Sequence, residues 1–303
     1  MATRLKADFG WFPHEMDFTT GAIAVETLPD LDTKVSDVRE SEGVDRDWIY
    51  PPPREQHVMG HGVRQLPYAS RIFGLPKTHS LAHAAADGPE HLEFLVWALS
   101  FFTGMRLTTT DAGFVDATPL KPRKMVDFVL SPREYVPALA LAEAFWQAHK
   151  AVPVRALRWC AAVHNLFIAH YPHALQFEEF IYLCGALDAC FALTAELHKP
   201  PLRLGHARRL GWMCDLFGME TPEWADASSG PATVATLRNA TFHEGLFMGA
   251  PLGFALHGVG TNQNLTLEME ALVCRLLVAL IGDAGSEYVR SPVNTRQMHG
   301  WSP

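Results

Sequence analysis

From Pro132 onward, apolar residues recur at steps of three and four through six consecutive segments closed by prolines and glycines, so this half must fold as packed helices. The segments run Pro132 to His149, Arg155 to His170, Phe177 to His198, Leu202 to Phe217, Thr233 to Glu244 and Leu265 to Ile281. In the third, Phe177, Ile181, Cys184, Leu187, Phe191 and Thr194 keep helical spacing, and Pro200-Pro201 forbids continuation. In the last, Met269, Val273, Leu276 and Leu280 form one stripe, Asn264 or Thr266 is available as a cap, and Gly282 is the stop. Together they predict a helical bundle.

The first half reads differently. Pro29, Pro51-Pro52-Pro53, Pro67, Pro76 and Pro89 recur too often for long helices, so short strands and loops are expected over residues 1–90. Phe18 to Leu28 is the best strand candidate, and the acid-rich stretch Asp30 to Asp47 reads as an exposed connector. Glu90 to Gly104 is apolar around most of its circumference and ends in glycine, as a buried helix does. Residues 106–130 return to threonines and turn residues, which predicts a strand pair and a loop. The expected class is therefore α+β: a mixed β/loop-rich domain over 1–131 with one buried helix, then an all-α domain over 132–303.

The net charge of −8 excludes a generic electrostatic grip on nucleic acid, so any polyanion site must be local. Five cysteines, odd in number and without C-x-x-C spacing, sit inside apolar helical text as reduced core residues do. The first 17 residues carry early acids where a signal peptide needs an apolar core. The apolar runs Phe94 to Phe102 and Leu276 to Ile281 fall short of the roughly 20 residues needed to span a bilayer. A cytoplasmic chain with no membrane partner is expected.

Leu237 to Gly245 reads L-R-N-A-T-F-H-E-G, placing Arg238, Asn239 and His243 on one helix just before a terminating glycine. Asn239 and His243 are four apart, so the amide can hold the imidazole in one tautomer, while Arg238 offers a planar fork to a phosphate. The arrangement resembles the R-x(4 to 6)-H motif of the HEPN superfamily, in which a polar residue, often Asn, follows the Arg. The F-E-E-F opening at Phe177 is similar to members related to the ApeA-like group. The resemblance covers the helical half only. It implies an all-α bundle in which two copies of the motif face each other across a homodimer and form a metal-independent ribonuclease site. Arg238, Asn239 and His243 are then the catalytic residues, with no cofactor and no metal, and Glu178, Glu179 or Asp188 is the acidic partner.

Other patterns carry less. Arg158 and His164 repeat the spacing, but Trp159 follows the Arg and the segment lies on an early helix. His57 with His61 and His79 with His83 have the i, i+4 spacing that binds metal on a helix, yet glycines surround the first pair and no H-E-x-x-H or cysteine supports the second. Arg203 to Arg209 places His206, Arg208 and Arg209 near one helix, either a patch for an RNA backbone or a solvated face. The glycine-containing run Gly258 to Asn264 is neither a P-loop nor G-x-G-x-x-G and reads as a connector.

Two functions are expected from these residues. The first is a HEPN-type endoribonuclease acting in antiviral defence or as a toxin, with the amino-terminal domain taking a protein or ligand trigger. The second is a non-catalytic dimeric module that senses a protein or small ligand, in which Arg238 pairs with Glu244 or a neighbouring acid and His243 sits at a helix carboxyl end.

Overall fold

The computed structural model describes residues 3–200, 204–254, 264–294 and 299–303. The connector expected at Gly258 to Asn264, apart from Asn264, and Arg203 lie outside the described residues. The chain is α+β and divides into two compact units, 1–125 with 135–140 and 126–134 with 141–303.

The first unit runs β1 (Thr3–Phe9), β2 (Phe18–Thr20), β3 (Ile23–Thr27), α1 (Leu31–Arg39), β4 (Val44–Asp45), β5 (Trp48–Ile49), β6 (Pro53–Val58), β7 (Gly62–Ala69), β8 (Ile72–Phe73), β9 (His79–Ala86), α2 (Pro89–Thr103), β10 (Phe114–Val115) and β11 (Thr118–Pro119). Its main sheet is antiparallel in the order β1-β9-β3-β2, and α2 packs on β1 and β9. Phe9, Ile23, Val25 and Leu81 from the sheet and Leu92, Leu95, Leu99 and Phe102 from α2 are buried, which is why α2 needs apolar residues on most sides. It ends at Gly104, whose φ of 62° is the left-handed conformation that glycine adopts without strain.

Three expectations are corrected here. Phe18 to Leu28 is a hairpin, β2 and β3, turning at Gly21 with φ 55°. Asp30 to Asp47 contains α1, because Leu31, Val35 and Val38 form a buried stripe between the acids. The strands of 106–130 do not pair with one another: β10 joins β8, β11 joins β5, and a third strand belongs to the second unit.

That unit begins with β12 (Phe128–Val129) and continues through α3 (Tyr135–His149), whose first residues count with the first unit. It goes on with α4 (Val154–Ala169), α5 (Gln176–His198), α6 (His206–Phe217), α7 (Thr233–Asn239), β13 (Leu246–Phe247), β14 (Ala250–Pro251), α8 (Leu265–Val278), α9 (Glu287–Arg290) and β15 (His299–Gly300). The six helical segments thus fall where the periodicity places them, with ends shifted by a few residues.

α4, α5 and α8 pack on one another, burying Trp159, Leu166, Phe180, Leu183, Leu187, Leu272 and Leu276. Trp159 donates its indole N–H to the Leu277 carbonyl at 3.1 Å. With 23 residues α5 is long and apolar enough to cross a membrane by length and composition, contrary to the short apolar runs read from sequence. Its apolar side is buried in this bundle. At the far end of α8, Arg275 is 1 % exposed and ion-paired to Asp127 at 2.6 Å, with Tyr288 donating to the same carboxylate.

Candidate functional site

α7 continues as one π-helical turn over 240–244, and Gly245 closes it with φ 68°. This segment presents its residues in two directions. Arg238 is half-buried and reaches α5, where its Nη2 donates to Asp188 Oδ2 at 3.0 Å. Asn239 and His243 are exposed, with no hydrogen bond between them among the described residues, so the amide does not orient the imidazole here. Phe242 between them is 48 % exposed, and the Arg238 guanidinium lies 5.1 Å from its ring centre.

Of the three acids left open by the sequence, Asp188 meets the motif. Glu178 instead accepts from the Leu175 N–H at 2.8 Å and caps α5, and Glu179 lies on the first turn of that helix. Asp188 also accepts from Arg209 Nη1 on α6 at 3.4 Å, and Arg209 Nη1 stands 3.0 Å from His206 Nδ1. Phe191 lies under the Arg209 guanidinium at 4.4 Å. His206 and Arg209 of the basic stretch therefore join Arg238 around one carboxylate, whereas Arg208 stays exposed. Partial burial, reinforced by Arg209 and Arg238, lowers the His206 pKa below the ordinary imidazole value.

These side chains line a pocket of about 40 Å³ together with Cys184, Leu187, Leu210, Val234 and Ala235. Neither Asn239 nor His243 lines it. Inside the cluster, Nε of Arg209 and Nε of Arg238 are buried without an acceptor. An unmatched buried donor of this kind costs about 1–3 kcal/mol. Cys184 is no nucleophile, since burial pushes its thiol up to about 12 and leaves it protonated.

The rival motif is absorbed by packing. Arg158 pairs with Glu196 of α5, and Arg155 Nε donates to the same carboxylate at 3.0 Å, so Arg158 fastens α4 to α5. The histidine pairs take no helical form. His57 lies on β6 and His61 in the turn that follows, while His79 and His83 lie on β9, where four strand steps separate them by about 13 Å.

His79 is nonetheless informative about stability. Burial lowers its pKa to about 4, against opposing effects of the His14 backbone and Asp17, and its ring packs between Phe9 and Phe12. The unfolded chain therefore binds a proton near pH 6.5 that the fold refuses until about pH 4, and stability falls as pH drops through that window. The His79 contribution to this loss is about 2 kcal/mol between pH 7 and pH 5. Urea unfolding at the two pH values measures it, and His79→Leu should flatten the dependence by that amount.

No family model, no curated protein and no solved structure matches this chain.

Proposed function

We propose that the helical unit is a HEPN-type bundle and that this chain is a metal-independent endoribonuclease, assembled as a homodimer and serving antiviral defence or a toxin role. The observation that supports this reading is the exposure of Asn239, Phe242 and His243 along one segment that ends in a π turn. An exposed imidazole beside an exposed aromatic ring suits a site completed by the same segment of a second copy. The π turn that carries His243 is of a kind frequent at functional sites. In this reading His243 exchanges a proton with the ribose 2′-hydroxyl or the leaving oxygen, Arg238 offsets charge building on the phosphorus oxygens, and Asn239 orients the ring or a phosphate. The first unit would hold the trigger.

A second reading, a non-catalytic dimeric binding module, is favoured by one observation: Arg238 already has a carboxylate partner. Salt dependence separates the two. With a net charge of −8, RNA contacts must be few, so log K for a short single-stranded RNA should fall against log salt with a slope of about −1.5 to −2, equivalent to two or three phosphates. Fluorescence anisotropy across a salt series checks this. A stable dimer that ignores RNA at every salt concentration would establish the second reading instead.

A further inference from the structure

We propose that the pocket between α5, α6 and α7 binds one phosphate-type oxyanion, held between Arg209 and Arg238. Two guanidinium groups share the single carboxylate of Asp188, so these three groups leave a formal charge of +1 in an otherwise acidic chain. Arg209 uses Nη1 for both Asp188 and His206, which leaves the Nε side of its fork unused, and the buried Nε of Arg238 is equally without an acceptor. Two guanidinium groups with donors left over, side by side, are a pairing that an oxyanion satisfies.

The walls favour the same occupant. Leu187, Leu210 and Val234 give the pocket apolar walls beside its charged groups. The volume of about 40 Å³ exceeds the roughly 10–15 Å³ that one water needs. A phosphate group fits this size and this charge. The assignment of that phosphate to RNA rests on the ribonuclease reading, whereas binding of the group itself does not.

Calorimetric titration of the full chain with inorganic phosphate, at ionic strength held constant with chloride, tests the pocket. Saturable binding of one phosphate per chain is expected. It should weaken about tenfold or more in Arg209→Gln, and also in Arg209→Lys, which keeps the charge and loses the fork. Arg208→Gln, an exposed neighbour on the same helix, should bind as the unmodified chain does.

A short single-stranded RNA that displaces the phosphate assigns the pocket to an RNA phosphate. RNA that binds without displacing it supports the pocket as a site for free phosphate. Absence of saturable binding by the folded chain, or equal weakening in Arg208→Gln, overturns the pocket. Cleavage of RNA by a chain that binds no phosphate would overturn the pocket and leave the nuclease reading intact. Phosphate binding without cleavage would do the reverse.

Discussion

Arg275→Met should lower the stability of the chain by about 3 kcal/mol, read as a drop in the urea midpoint at unchanged slope. The guanidinium is enclosed by acceptors: Asp127 Oδ2 at 2.6 Å, the Ala271 carbonyl at 2.8 Å, the Ser291 carbonyl and hydroxyl at 2.9 Å, and the Pro292 carbonyl at 3.2 Å. These bonds tie α8 to Asp127, the residue before β12, and to the turn after α9. Removing the arginine leaves the Asp127 charge with Tyr288 as its one side-chain donor among the described residues and takes a donor from several carbonyls. The double variant Asp127→Leu with Arg275→Met separates charge from packing. It should recover a substantial part of the loss, because taking out both members of a buried pair removes the uncompensated charge. Equal losses in the single and double variants would show that the carbonyl bonds, not the ion pair, carry the stabilisation.

Helices were legible where punctuation was strong. α5 ends at His198, just before Pro200, Gly104 closes α2, and Gly282, at φ 126°, breaks the turn that follows α8. In each case a local rule decides the outcome. α1 was illegible because its buried stripe has three residues, Leu31, Val35 and Val38, among acids that dominate the composition. The strands of 106–130 were misread because their partners are chosen by tertiary contact: β12 pairs in parallel with β15, about 170 residues away, which no local pattern announces.

The candidate site shows the same split. The motif segment and its glycine stop are read directly, but the acid that meets Arg238 lies fifty residues earlier, and three carboxylates fit the text equally well. Only the packing of α5 beside α6 and α7 selects Asp188. The π turn was also unreadable, since nothing in A-T-F-H-E separates it from an ordinary helical end. That turn belongs to the segment that leaves His243 in solvent while Arg238 faces inward.

The second large effect belongs to that histidine. If it transfers a proton in the reaction, His243→Ala should slow cleavage by about 10² to 10⁴-fold, the range general acid–base catalysis contributes. The fold should be untouched, because His243 is exposed. Arg238→Ala should also abolish cleavage, but it removes the closer of the two arginine partners of Asp188 and disturbs the α5 contact, so its thermal midpoint must be read beside its rate. Cleavage of a mixed single-stranded RNA in excess EDTA, by the unmodified protein and His243→Ala side by side, is the most direct measurement. Cleavage by the unmodified protein should persist in EDTA and fall at least about a hundredfold in the variant. No cleavage by the folded protein, or an undiminished rate in His243→Ala, would contradict the ribonuclease proposal.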